Sequence, residues 1–346
     1  MSRKIGLDAV NLRPVPRVAH TEYSAPFPAL IKAVTGEYTG SQEDVRRFYD
    51  AWDYDLIWNI NDGPVPWAKR GRVTDMGHAE YAEGGMDKRE SKPCPFESDE
   101  EVLEFDAIKE YGRPDFNELV DFYEGFYQKN QAFFKNQVFT GGYYKSVVSG
   151  AIETFGWDML LLAAADLERF AGVLRSFGEL TLHHVKAWAE TSIEVFIQHD
   201  DMVWSGGPFV RPEFYRAVIF PMYKKFWEVL HKAGKKVLFC SDGSFDMFME
   251  DIASAGADGF IFEPRNDFDT IVRKFGRTHC LVGSKVDCRT MTFENWEKVK
   301  EEMDATWELV PECAGLIWAV GNHIPSNVPV EIGLKYIDYL KANWGS

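Results

Sequence analysis

The second half of the chain alternates between short apolar runs and longer amphipathic stretches. "IEVFIQ" (Ile193–Gln198), "KVLFCS" (Lys236–Ser241), "GFIFE" (Gly259–Glu263), "HCLVGS" (His279–Ser284) and "GLIWAV" (Gly315–Val320) have the length and apolar content of buried strands. Each is followed by a segment with helical periodicity. The first, "RPEFYRAVIFPMYKKFWEVLHKAG", carries Pro212 near its first turn, where a missing N–H costs nothing. Its Pro221 should kink or split the helix. "FDMFMEDIASAG", "DFDTIVRKFG", "FENWEKVKEEMDATWELV" and "PVEIGLKYIDYLKANW" complete the series. Five strand–helix units in succession imply parallel strands joined by right-handed crossovers.

The first half is less regular. "RVAHTE", "YDLIWNI" and "NQVFTGG" read as strands. "FPALIKAVTG" and "SQEDVRRFYDAW" read as helices, as do Asp99–Lys109, Phe116–Asn130 and Asp166–Ala189. Three early units and five late ones make eight. The pattern predicts one α/β domain over residues 1–346, a (β/α)8 TIM barrel with an N-terminal helical and loop elaboration. No Gly-x-Gly-x-x-Gly follows an early strand and no Walker loop occurs, which weighs against an open dinucleotide-binding sheet. The Gly-rich, polar stretch Gly63–Lys88 predicts a long loop or small hairpin, a candidate lid or docking element.

Composition narrows the function. The chain has 346 residues, 45% of them hydrophobic, and a net charge of −16 from 54 acidic and 38 basic side chains. That balance argues against a surface for nucleic acid or anionic lipid, which would need a cationic patch. Five cysteines at scattered positions do not form a disulfide framework. With no targeting segment and no apolar run long enough to span a bilayer, the expectation is a reducing, cytoplasmic compartment. A homodimer is one assembly left open.

In a barrel of this kind chemistry sits at the carboxyl ends of the strands. Those ends offer His20, Glu22 and Tyr23; Trp58, Asn59, Asn61 and Asp62; Tyr143, Tyr144 and Lys145; His199, Asp200 and Asp201; Cys240 and Asp242; Glu263; Asp287; and Asn322 and His323. Buried charge is costly unless paired, so this recurrence is the main functional signal. Cys240 and Asp242, two apart where a strand hands over to a helix, point to one side. A thiolate, a carboxylate and an imidazole would make a metal site, so Cys240, Asp242 and His323 are the candidate zinc ligands. Asp201, Glu22 and Tyr143 are the candidate catalytic groups. Tyr23, Trp58, Tyr144, Asp200 and Glu263 are the candidate substrate contacts, the aromatic members suiting a flat ligand or a large cofactor.

From about Arg17 to Leu340 the sequence resembles the uroporphyrinogen decarboxylase superfamily, which includes cobalamin-dependent methyltransferases. The resemblance is carried by "HDDMVWSGGPFVRPEFYRAVIFPMYKKFWEVLHKAGKKVLFCSDG", by "GSKVDCRTM" and by "GNHIPSNVPVE". It implies a TIM barrel and two branches of chemistry. The decarboxylases read substrate carboxylates with an arginine-rich element after the first strand, where this chain has "HTEYSAPFP". The zinc methyltransferases carry His-x-Cys-Gly at strand five and a Cys near strand eight; the matching positions here are Cys240, Asp242 and Asn322, with His323 adjacent. "EYS", the Asp-Asp pair and "SDG" look most like methyltransferases that demethylate methoxylated compounds for a corrinoid protein. The resemblance therefore implies a small-molecule methyl donor, a corrinoid protein partner carrying cobalamin, and zinc or an acid such as Asp201 or Tyr143 to assist the leaving oxygen. A decarboxylase of a porphyrinogen or small acid is the alternative, and a barrel that has lost its chemistry is a third reading.

Overall fold

Eight short strands run parallel around one axis in the computed structural model, which describes residues 2–23, 26–74, 80–81, 87–88 and 93–344. They are β1 (Ala19–His20), β2 (Leu56–Ile57), β3 (Val138–Phe139 and Gly141–Tyr143, interrupted at Thr140), β4 (Val195–His199), β5 (Lys236–Cys240), β6 (Gly259–Ile261), β7 (Cys280–Val282) and β8 (Leu316–Trp318). Ladders join β2 to β3 and then each strand to its successor as far as β8, which pairs back onto β1. The remaining seam is closed by single bonds: Asp55 N–H donates to His20 O at 2.8 Å, and Thr21 Oγ1 donates to Leu56 O at 2.6 Å. The architecture is the TIM-barrel-like α/β fold that the strand–helix alternation predicts.

Each strand sorts its side chains by parity, because successive residues face opposite sides of a sheet. Ala19, Leu56, Val138, Val195, Ile197, Leu238, Cys240, Ile261, Cys280, Val282, Ile317 and Ala319 form one apolar cluster, the barrel interior. Their neighbours, such as Val18, Phe196, Phe239, Phe260 and Trp318, belong to the larger cluster between strands and helices. The N-terminal helix Ser2–Val10 joins the interior cluster through Ile5, Ala9 and Val10, opposite the end where chemistry is expected. Gly6 makes that approach feasible, since a Cβ there would lie 2.4 Å from Asp55 O.

Pro221 has the effect its chemistry dictates. The predicted helix is divided into Pro212–Phe214, a π turn at Tyr215–Ile219 and a regular helix Phe220–Lys232. Two features differ from expectation. The predicted helix Asp99–Lys109 is two, Asp99–Leu103 and Ala107–Tyr111, because the Asp106 carboxylate caps Ile108 and Lys109 and starts the second. A further helix, Val147–Ala163, follows β3 unforeseen; a kink at Gly156, where φ is 71°, shifts the apolar faces of its halves out of phase. The expected hairpin is present as a short antiparallel ladder between Glu80–Tyr81 and Asp87–Lys88. Residues 75–79 and 82–86 of the candidate lid lie outside the described residues. Among the described residues no helix is long and apolar enough to cross a membrane.

Candidate active site

The inward parity that places Ile197 and Leu238 in the barrel interior continues upward to His199 and, just past β4, to Asp201, and likewise to Cys240 and, just past β5, to Asp242. The register sets His199 beside Cys240. Above the last apolar layer, Tyr23 and Trp58 pack against the interior cluster from the mouth side. Four chemically active side chains converge there. His199 Nε2 lies 2.9 Å from Asp201 Oδ1, and the Asp242 backbone N–H donates to the same oxygen at 2.9 Å. Tyr144 O–H donates to Asp201 Oδ2 at 2.8 Å, and its ring stacks on the His199 ring with centroids 4.1 Å apart. Trp58 meets the His199 ring edge-on at 5.7 Å.

The supports of this group come from adjoining loops. Ser149 Oγ accepts the Asp201 N–H at 2.7 Å, and Ser146 Oγ donates to His199 O at 3.0 Å. Asp62 holds the turn after β3 by accepting the backbone N–H groups of Tyr144 and Lys145. The turn after Asp242 depends on Gly243, whose φ is +78° and whose absent Cβ would meet Trp204 O at 2.4 Å. Glu263 links three strand ends, since Gly243 N–H and Asn322 Nδ2 each donate to one of its oxygens.

Electrostatics divide the mouth into ionised and neutral groups. Burial works to raise the Asp201 pKa, but the His199 imidazole, the Asp242 N–H and the Tyr144 hydroxyl together hold it below the usual carboxylate range. Tyr144 is pushed well above an ordinary phenol by burial and by the carboxylates of Asp201 and Asp242. Burial, then Asp242, Asp201 and Glu263, push the Cys240 thiol up. Tyr23 rises too, by burial first and then through Cys240, Glu22, Glu263 and Asp242.

Several sequence-based assignments are corrected by parity. Asp200 faces outward: its Oδ1 accepts the N–H groups of Val148 and Ser149 at the start of the kinked helix, and its Oδ2 accepts from Tyr223 at 2.6 Å. It is a buried anchor, not a substrate contact. Glu22 also faces outward, accepting from Val320 N–H at 2.9 Å and Tyr336 O–H at 2.8 Å, with His20 Nε2 at 3.1 Å. These bonds fasten β1 to β8 and the last helix, so Glu22 has no reach to the mouth as a catalytic group. Tyr143 stacks on His184 behind the strand, with centroids 4.7 Å apart; Tyr144, its neighbour, is the tyrosine that faces the carboxylates. Asp201 is in the mouth but is held ionised, so it is an acceptor and not the acid expected of it.

The predicted metal set also changes. Among the described residues, three or more His, Cys, Asp or Glu ligand atoms lie within 4.8 Å of one another at one place, His199–Asp201–Asp242. Asp242 is the one predicted ligand in it. Cys240 lies below as a largely protonated thiol in the apolar layer, and the His323 ring is bonded to the Asn322 amide oxygen through Nδ1. An imidazole with two carboxylates is a donor set that zinc accepts. His199 Nε2 and Asp201 Oδ1 are hydrogen-bonded at 2.9 Å, and adjacent ligands of a tetrahedral zinc at ~2.1 Å lie ~3.4 Å apart, so an ion would replace that bond with only a small opening of the pair. His199 was legible at a strand end but was left out of the predicted site. The signal that would have found it is the i, i+2 spacing to Asp201, the same spacing that selected Cys240 and Asp242.

A protein-family model described as uroporphyrinogen decarboxylase (URO-D) matches residues 147–341, more than half of the chain and all of β4 to β8. No curated protein matches the sequence. Among solved structures, a methyltransferase from Methanosarcina mazei superposes with a TM-score of 0.64 at 15% identity, covering 99% of this chain and 97% of that one. A family 2 AP endonuclease from Brucella melitensis gives a TM-score of only 0.36 at 10% identity, over 63% of this chain and 83% of its own.

Proposed function

The chain belongs to the uroporphyrinogen decarboxylase family, and from that premise we propose that it transfers a methyl group from a methoxylated small molecule, an aryl methyl ether by preference, to a corrinoid protein. The observation that carries this reading is the His199–Asp201–Asp242 group with Tyr144, facing an aromatic-lined mouth at the carboxyl ends of the strands. The barrel likeness to a methyltransferase agrees with it in architecture. The reduced corrinoid of the partner would supply the nucleophile and accept the methyl group. Zinc, if bound, would be held by His199, Asp201 and Asp242 and would polarise the ether oxygen as a Lewis acid.

The chain's own residues would do the rest. Tyr23 and Trp58 present apolar surface on which a flat ring can lie. Breaking a methyl–oxygen bond leaves an alkoxide or phenoxide, which must gain a proton or a cation. With no metal bound, Tyr144 and His199 both hydrogen-bond the ionised Asp201 and are the proton-bearing groups beside the leaving oxygen; zinc held through His199 Nε2 would take over that role. The acids of the mouth favour a neutral donor. Asp201, Asp242 and Glu263 raise the pKa of both Cys240 and Tyr23 or of one of them, which marks a negative field that would repel a substrate with several carboxylates. That disfavours porphyrinogen decarboxylation, the alternative chemistry of the family.

The test is to incubate the protein with a reduced corrinoid protein and a panel of methoxy-aromatics, following methylcobalamin by absorbance and the demethylated phenol by chromatography. Formation of both, lost in Asp201→Asn, is the expected result. Carbon dioxide release from a carboxylated substrate without corrinoid would replace this reading with the decarboxylase one.

A further inference from the structure

Lys145 stands outside the proton-bearing group yet touches it. Its ammonium lies 4.3 Å from the centroid of the Tyr144 ring, the ring that also stacks on His199 and whose hydroxyl binds Asp201. Its side chain is 13% exposed and pairs at 2.9 Å with Glu153, also 13% exposed, on the kinked helix Val147–Ala163. A buried ion pair gains little net stability over apolar side chains of the same volume, so stability alone gives weak reason for one here. A cation over an aromatic face, largely removed from water, does fix that ring. The backbone is held as well, since Asp62 accepts the N–H groups of both Tyr144 and Lys145.

We propose that Lys145, held by Glu153, is a positioning residue for the active site: it clamps the Tyr144 ring so that the hydroxyl stays on Asp201 and the ring stays on His199. It touches neither substrate nor the reacting atoms. The inference rests on the methyl-transfer reading for its kinetic consequence, but not for its consequence on cation binding. The residues that orient a ligating carboxylate typically alter metal affinity by about 10–100-fold when removed.

The test is a double-mutant cycle of Lys145→Met and Tyr144→Phe, with Lys145→Arg as the conservative variant, read in two ways. By calorimetry with zinc alone, Lys145→Met and Tyr144→Phe should each weaken binding about tenfold, and the double variant no further. In methyl transfer, Lys145→Met should lower kcat about tenfold with KM changed less than about threefold, again with no added loss on Tyr144→Phe, while Lys145→Arg stays within about threefold of wild type. Multiplying effects in the double variant, or a loss in Lys145→Met that merely tracks the folded fraction, would overturn the proposal. Wild-type protein that bound zinc but transferred no methyl group would remove the functional reading and leave the zinc cycle to decide this one. Wild-type protein that did neither would overturn both, since nothing would remain for Lys145 to position.

Discussion

Two strand ends of this barrel carry nearly the same tripeptide and make different things of it. At β1 the chain reads His20-Thr21-Glu22, and at β4 it reads His199-Asp200-Asp201. Both bring imidazole Nε2 to a carboxylate two residues on, at 3.1 Å and 2.9 Å. In the first pair both residues face the helices, and every polar atom of the pair has a protein partner: His20 Nδ1 meets Trp52 O, and the Glu22 oxygens take Val320 N–H, Tyr336 O–H and the imidazole. In the second pair both face the mouth. Among the described residues the buried His199 Nδ1 has no hydrogen-bond partner, and a third ligand-type side chain, Asp242, lies within 4.8 Å. The difference shows that side-chain type is a weaker guide than parity. A satisfied pair is a fastener, whereas an incomplete pair at the barrel mouth has capacity left for a ligand.

The sharpest way to break this contrast is to substitute the two carboxylates. Asp201→Asn should lower methyl transfer by at least about 100-fold while leaving the thermal unfolding midpoint within a few degrees of wild type. Glu22→Ala should do the opposite. It strands a backbone N–H, a tyrosine hydroxyl and an imidazole in the interior, so denaturant titration should read a loss of about 3–5 kcal/mol. Its methyl transfer per folded molecule should stay within about threefold of wild type. If Glu22→Ala folded normally and lost turnover, the division into fastener and site would be wrong.

A subtler contrast lies just past β4, where adjacent acids shift in opposite directions. Asp200 has its pKa raised to about 6 by burial, against the lowering effect of Tyr223 and the Ser149 N–H. Asp201 is held low by His199 and its other donors. A raised folded-state pKa favours the protonated acid, so the Asp200 contribution is fully present below pH ~4 and is lost as pH rises through about 6. A lowered pKa works the other way, and the Asp201 contribution is lost as pH falls below the ordinary carboxylate range. Asp200→Asn keeps an oxygen for Val148 and Ser149 and a nitrogen toward the Tyr223 hydroxyl, which can turn to accept. Stability curves between pH 4 and 8 should therefore differ in slope by an amount integrating to about 2–3 kcal/mol, the variant lacking the fall through pH 6. Parallel curves would mean that Asp200 is not protonated in the native state.

Much of this molecule was legible in its sequence. The eight strands lie where apolar runs predicted them, because a barrel strand buried on both faces needs little more than such a run and a turn after it. Pro221 announced its own disruption of the helix. The kinked helix after β3 escaped notice because Gly156 resets the helical phase, which leaves two short apolar faces where one long periodic face would have been recognised. The site was legible as a set of strand ends but not as a selection among them. Asp200, Glu22 and Tyr143 are of the right type in the right place on the wrong side of the strand. Counting alternate positions upward from Ile197 separates Asp201 from Asp200. The same count upward from Leu238 yields Cys240 and then Asp242, but it does not say that the thiol stops in the apolar layer, because that depends on depth within the barrel. His323 could not have been judged by counting at all. It follows Asn322, whose backbone sits at φ 66°, beyond the point where strand alternation applies.

The smallest predicted effect separates Tyr143 from Tyr144. Tyr143 is fully buried against His184; burial pushes its pKa above the normal phenol range against the lowering effect of nearby Arg70 and Trp67, and among the described residues its hydroxyl makes no hydrogen bond of good geometry. A buried hydroxyl beside donors that it meets only with poor geometry recovers little of its desolvation cost. Tyr143→Phe keeps the ring and its stacking while removing only that oxygen. The variant should unfold within about 1 kcal/mol of wild type, on the stabilised side if the site holds no water, and should transfer methyl groups at the wild-type rate. A destabilisation well beyond 1 kcal/mol would show that the hydroxyl makes a full bond, to Arg70, Trp67 or a buried water. A loss of turnover would show that the outward face of β3 communicates with the mouth, and the parity rule that sorts this site would then fail at the strand where its two candidates stand side by side.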